Sequence, residues 1–231
     1  SDVCSSDLTD VDSNGGKTLV GRVVVHPFTT KGKVLDGFGL HLGASRGHED
    51  GALPSFRTSI GQTWFSYDRA TTAAGLHTRV TPAAMYYVKA FGMFAEYVRS
   101  TQQVRRTSLV DVDNHGWDVT AAYVLTGEAV TERGVRPAHP FDPTAHQWGA
   151  VQVLGRVSAL TVDTGAFAGA RASAVAATTA SRSAHQYSLG LNWYPAAFIK
   201  YYAEFEHTTF DGGFTERPAE NAVMVRAQVA F

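Results

Sequence analysis

Read backwards from Phe231 in steps of two, the end of the chain gives Val229, Ala227, Val225 and Val223, all apolar, while Arg226 and Gln228 fall in the alternate set. A period of two with one wholly apolar face predicts a strand with one side in oil and the other near water. The same pattern recurs upstream. Over 19–28, Val23 and Val25 oppose Arg22, Val24 and His26; over 36–47, Phe38, Leu40 and Leu42 oppose Gly39, His41 and Gly43. The stretch 61–67 is strand-like. Over 75–88, Val80, Pro82, Ala84 and Tyr86 oppose Arg79, Thr81, Ala83, Met85 and Tyr87; over 93–100, Ala95 and Tyr97 oppose Phe94, Glu96 and Val98. The clearest alternation runs over 116–126, where Trp117, Val119, Ala121, Tyr123 and Leu125 share a side. Gln152, Arg156 and Ser158 share a face over 148–162, and Tyr187, Leu189, Leu191 and Trp193 oppose Ser188, Gly190 and Asn192. Over 198–208, Ile199, Tyr201, Ala203 and Phe205 oppose Lys200, Tyr202, Glu204 and Glu206. These segments predict about ten strands and no amphipathic helix.

The connections predicted between them are unequal. Tight turns fall at Lys89-Ala90 and Pro195-Ala196, and 48–59 reads as a connection. Charged or small-residue loops are expected at 102–114, 163–182 and 210–220, with a long Pro-containing span at 127–147. Pro82 removes one ladder donor and predicts a bulge.

Composition narrows this only partly. At 231 residues, with 20 Lys and Arg against 21 Asp and Glu, the net charge of −1 gives no global attraction to nucleic acid or to an acidic polymer. No apolar run approaches the length of a membrane helix. A barrel strand gives a much weaker signal, about ten alternating residues. A soluble β-sandwich and a membrane barrel both remain open. Cys4 is the single cysteine, so no intrachain disulfide forms. The opening Ser1 to Leu8 lacks alternation and resembles a translated sequencing adapter; residues 1–17 are therefore expected to be a non-native or disordered leader, with the true amino-terminus missing.

The aromatic positions favour oil outside the wall. Trp117, Tyr187, Trp193, Tyr194 and Tyr201 lie at or near strand ends, as in the aromatic girdles of outer-membrane barrels. The opposite faces repeat ionisable or amide groups that a sandwich core would not accept without heavy desolvation.

Several pieces carry a family resemblance. Leu53-Pro54-Ser55-Phe56-Arg57-Thr58, then 61–67 and Phe91-Gly92-Met93-Phe94-Ala95-Glu96-Tyr97-Val98, come first. Tyr123 to Glu128, Gly134-Val135-Arg136-Pro137, Pro140 to Pro143, Trp148-Gly149-Ala150, Gly190 to Tyr194 and Glu220-Asn221 follow in order. Together they resemble the phosphate-selective porins of the O and P type. The turn Tyr194-Pro195-Ala196-Ala197 departs from the asparagine-rich turn expected there. The resemblance implies an all-β, antiparallel transmembrane β-barrel. Residues 18–231 would be its carboxy-terminal portion, about ten strands of a sixteen-stranded barrel. It further implies a homotrimer in the bacterial outer membrane, contact with outer-membrane lipid, insertion by the barrel assembly machinery with Phe231 as the signal, and passive diffusion of phosphate, polyphosphate or other small anions. No cofactor, metal or nucleic acid is implied, and no enzymatic activity. The family's constriction loop is expected to lie largely in the missing part.

An anion path needs fixed cations whose hydrogen bonds offset dehydration. Strand parity sends Arg79, Arg156, Lys200 and Arg226 into the lumen, with Arg22 alongside. The competing reading pairs these with Glu96, Glu204 and Glu206 as general charge balance. If Phe231 lies on the periplasmic side, so does the 127–147 span, which would fold inward and bring Arg133 and Arg136 to a constriction. Two rivals come from other classes: an outer-membrane barrel hydrolase and a soluble carbohydrate-binding β-sandwich. Among nine histidines, no Ser, His and acid trio has legible spacing, and His139, Asp142 and His146 lack a compact metal pattern.

Overall fold

The computed structural model describes residues 17–28 and 34–230. Its wall is one antiparallel sheet of nine strands. In chain order the strands are β1 (Thr18–Val25), β2 (Phe38–Gly51), β3 (Phe56–Arg57), β4 (Thr63–Phe65), β5 (Thr72–Val88), β6 (Phe91–Arg105) and β7 (Leu109–Val124). They continue with β8 (Val130–Thr131), β9 (Gly134–Val135), β10 (Ala150–Thr161), β11 (Ser183–Ala196), β12 (Ile199–Asp211) and β13 (Glu220–Val229). The wall runs β1-β2-β5-β6-β7-β10-β11-β12-β13, each strand beside its neighbour in sequence once the two small hairpins β3-β4 and β8-β9 are set aside. Most wall strands exceed the ten or so residues a tilted membrane crossing needs, so they project beyond an oil layer. Among the described residues β1 and β13 each have one partner and are the two edges of the sheet. The expected leader and Phe231 fall outside the described residues, apart from Lys17.

The burial pattern inverts that of a soluble protein. Leu189 is 68 % exposed and Phe205 49 %, whereas Glu204 is 6 %, Glu206 3 % and Asn192 3 % exposed. One face carries Leu40, Leu42, Val119, Tyr187, Leu191, Val223 and Val225, all exposed. Cross-strand register aligns them: Val225 faces Ala203, which faces Leu191, which faces Val153. Apolar surface so large and continuous belongs in lipid or an interface. A soluble sandwich would bury that face against a second sheet, and no second large sheet exists among the described residues. The sandwich alternative is therefore excluded, and the β-rich barrel wall stands.

Three expectations need correction. The 102–114 loop is mostly strand: β6 reaches Arg105 and β7 begins at Leu109, because alternation continues through Val104, Val110 and Val112 despite the charges. Pro82 makes no bulge. It pairs in register with Leu42, and the register of β5 with β6 is the same on either side of it. The shift lies instead between Ala73 and His77, around Gly75, whose φ of +142° suits glycine. Tyr194 is not on the oil side, since its hydroxyl donates to Gln152 Oε1 at 3.2 Å.

Candidate functional site

The polar face is covered at one end by folded-in chain. After β2 the chain does not run outside the wall. Phe56, Trp64, Phe65 and Tyr67 turn onto the polar face and form a buried apolar cluster with Val104 of β6, Val112 of β7, Val162, Ala176 and Phe210 of β12. The backbone of this segment hydrogen-bonds to the loop after β10: Asp68 N to Val175 O at 2.8 Å, Ala177 N to Ser66 O at 2.9 Å and Ser181 N to Trp64 O at 2.9 Å. Ser59 donates to Glu206 on β12. In a flat sheet, six spacings of about 4.8 Å would put β2 and β12 roughly 29 Å apart. Ser59 is only eight residues past Gly51 and sits in a turn, so the wall must curl around the segment. An inward-folded loop is thus present within the described residues, where sequence reading placed a plain connection. The signal was there in Phe56, Trp64 and Phe65: three large aromatics in ten residues are too apolar for an exposed connection.

At the opposite end the 127–147 span divides in two. The β8-β9 hairpin packs Val130 and Val135 on Ala90, Val124 and Ala150, flanked by Tyr87 and Tyr194. Val124, Tyr87 and Tyr194 have polar-face parity, so the hairpin covers that face at its short-turn end. Val130 N bonds to Lys89 O at 2.8 Å, which anchors it to the β5-β6 turn. The second half crosses to the apolar face. There Phe141 meets Trp148 at 5.8 Å and Trp193 at 5.4 Å between ring centroids, and Trp193 stacks on Tyr201 at 5.4 Å. Asp142 closes this half: its carboxylate accepts from the Thr144 hydroxyl and from the Thr144 and Ala145 amides, which holds it below the usual carboxylate range.

Between the two ends lies a polar cavity of about 480 Å³, lined by Arg156, Asn192, Lys200, Tyr202, Glu204 and Arg226 among others. Three of the five cations expected in the lumen therefore come together. Arg156 Nε donates to Asp118 Oδ2 across β7 and β10. Lys200 lies 5.6 Å from the ring centres of both Tyr194 and Tyr202, within reach of a cation–π attraction. Among the described residues, neither Lys200 nor Arg226 is in an ion pair. Asn192 Nδ2 donates to Gln152 Oε1 at 2.8 Å.

The other expected residues lie elsewhere. Arg79 is 3.7 Å from Glu49 Oε1, in a group where His77 Nδ1 donates to Glu49 Oε2 at 2.8 Å and Gln102 donates to the same oxygen at 3.1 Å. Arg22, on the edge strand β1, donates to His41 Nδ1 at 2.8 Å. Arg133 and Arg136 are exposed on and beside the β8-β9 hairpin. Sequence reading missed Arg57, which the inward loop carries to a hollow it shares with Glu96, Asp118 and Arg156. It also missed the Glu49–His77 pair, because the two residues are 28 positions apart and meet only through the β2-β5 register.

Comparison with curated proteins gives no significant match. The model of one family, described as phosphate-selective porin O and P, matches residues 2–231. With that match across nearly its whole length, the chain belongs to the family of phosphate-selective porins O and P.

Proposed function

We propose that the chain forms the wall of an outer-membrane channel through which phosphate and related small anions diffuse without energy input, and that Arg156, Lys200 and Arg226 are the cations the anion meets. The observation that carries this reading is their convergence on one polar cavity, with Lys200 and Arg226 free of ion pairs among the described residues. An anion entering a narrow path loses water. Guanidinium and ammonium donors replace those bonds with charge-assisted ones. Passage also requires that no single site hold too tightly, and Asp118 tempers the site through Arg156.

The inward segment 53–67, with Arg57, narrows the path at one end, and the β8-β9 hairpin with Arg133 and Arg136 narrows it at the other. Arg22 and Arg79 add positive potential along the wall rather than contacts. In the same reading the apolar face meets outer-membrane lipid and neighbouring subunits of a homotrimer. The aromatic terminal strand is the signal for the barrel assembly machinery. Polyphosphate is accommodated as a longer ligand on the same cations.

The test is conductance in planar bilayers. Anions are expected to permeate better than cations, and added phosphate should reduce chloride current. Replacing Lys200 and Arg226 together with Ala should weaken that block by at least about tenfold, the equivalent of one lost bond to a charged group. Equal permeability to chloride and potassium, or block unchanged by the double substitution, overturns the reading.

A further inference from the structure

The cation cavity also contains a buried acid, and a site meant simply for negative charge has no use for one. Glu204 is 6 % exposed, lines the cavity with Lys200 and Arg226, and is in no ion pair among the described residues; the Ser188 hydroxyl lies beside it. Its neighbour Glu206 is differently placed, since it accepts from Ser59 of the inward loop. Asn192, on the adjacent strand β11, is 3 % exposed and also lines the cavity. Its Nδ2 is used by Gln152, while its Oδ1 is buried without a hydrogen-bond partner. One cavity therefore holds two cations without ion pairs, one carboxylate without an ion pair and one orphaned amide acceptor.

Arg226 is exposed and Lys200 half-buried, so both stay hydrated, but Glu204 and Asn192 Oδ1 are buried and costly in an empty site. A buried charge or carbonyl without a partner loses its hydration and gains nothing in return. The cations call for an anion. An ionised carboxylate is an acceptor only, so Glu204 calls for a donor on that same anion. Building on the anion-path reading, we infer that Glu204 selects oxyanions that still carry a hydroxyl proton. Dibasic phosphate keeps one P–OH throughout the neutral range. Arsenate keeps the corresponding hydroxyl. Sulfate keeps none, and a phosphate monoester loses its own above its second ionisation near about pH 6. A protonated oxyanion sets its negative oxygens on Lys200 and Arg226 and donates its hydroxyl to Glu204. Sulfate, presented to the same acid, meets like charge with no intervening proton. Discrimination then comes from a repulsive group as much as from the attractive ones. It is also of the steep kind, because the wrong ligand leaves a buried acceptor unpaired.

Calorimetric titration of the purified full chain in detergent, with phosphate, arsenate, sulfate and methyl phosphate, tests this. The wild type is expected to bind phosphate and arsenate about tenfold or more tighter than sulfate, the equivalent of one bond to a charged group. Methyl phosphate should behave like phosphate at pH 5 and like sulfate at pH 8, with sulfate itself as the control for changes in the protein. That wild-type comparison holds even where a variant folds poorly. In Glu204→Gln, sulfate binding should tighten and the phosphate-to-sulfate ratio should fall below about threefold. If both anions bind and the ratio is unchanged in Glu204→Gln, or if methyl phosphate shows no pH-dependent switch, selection by Glu204 is overturned and the anion path survives. If the wild type binds none of the four, both readings fall together.

Discussion

The two halves of the polar face are built on opposite rules. Towards one end the inward loop brings Phe65, Val104, Val112 and Val162 into a core with no appreciable exposure, and the side chains there are mostly apolar, the buried Ser181 hydroxyl without a partner being an exception. Below it lies the cavity of Lys200, Arg226, Glu204 and Asn192, where, among the described residues, the three charged groups stand without ion pairs and the Asn192 Oδ1 without a hydrogen-bond partner. The first region resembles the interior of a soluble protein enclosed by a sheet. The second would be intolerable in such an interior. The difference separates two tasks that a pore wall must perform at once: one end fixes a shape, and the other leaves chemistry unsatisfied so that a passing ion can complete it. Substitutions should therefore split cleanly. Those above change stability, and those below change what binds.

The largest expected effect comes from breaking the packed region. Phe65 is fully buried between Phe56, Tyr67 and Phe167, with ring centroids at 5.3, 5.0 and 6.1 Å. Phe65→Ala should cost about 3–5 kcal/mol through lost transfer energy and the cavity left behind. The midpoint of denaturant unfolding in detergent should fall accordingly. Single-channel conductance should rise as the loop loses its seat. A variant with the wild-type midpoint would show that the inward loop is not held by this cluster.

Tyr67 offers a smaller break in the same region, and one whose size depends on pH. Burial pushes its phenol above the ordinary range, the negative charge of Asp163 adds to this, and a hydrogen bond from Asn114 opposes it. Because the folded protein favours the neutral phenol, its contribution is complete below the unfolded value of about 10 and declines as pH rises through the folded value. At neutral pH Tyr67→Phe should be less stable by about 0.5–1.5 kcal/mol, since Asn114 Nδ2 loses its acceptor while Oδ1 keeps the Asp163 amide. Above roughly pH 10 the wild type should lose stability faster than the variant, narrowing or reversing the gap. A pH-independent difference would remove ionisation of Tyr67 from the account.

How much of this was legible beforehand depended on the range of the interaction. Alternation with period two revealed the wall, its apolar face and the shared polar-face parity of Arg156, Lys200 and Arg226, because strand parity is local. It missed the end of β6 and the start of β7, where charged Arg105 and Asp111 masked the adjacent Val104, Val110 and Val112. Tyr194 shares the parity of Ser188, Gly190 and Asn192, so alternation already put it on the polar face, and its aromatic character alone grouped it with the girdle. The inward course of 53–67 depends on Trp64 finding Phe210 and Ser59 finding Glu206, about 146 residues apart in each case. No periodicity encodes such a contact. The orphaned acceptor on Asn192 was invisible for the same reason: polarity can be read from a sequence, but the absence of a partner cannot.

The finest division lies among the cations themselves. Arg79 and Arg226 share inward parity and would be equivalent if the wall acted only through its summed charge. Arg79, however, stands beside Glu49, whose carboxylate also takes His77 and Gln102, so its charge is largely offset at short range. Arg226 faces the cavity with no ion pair among the described residues. Arg79→Ala should therefore weaken phosphate block of chloride current by less than about threefold, a long-range effect that added salt screens within roughly 10 Å. Arg226→Ala should weaken it by about tenfold and keep most of that effect at high salt, since a direct charge-assisted bond is lost. Equal losses from the two substitutions, falling together as salt rises, would mean that the lumen attracts anions as a diffuse field and that the cavity is not a site.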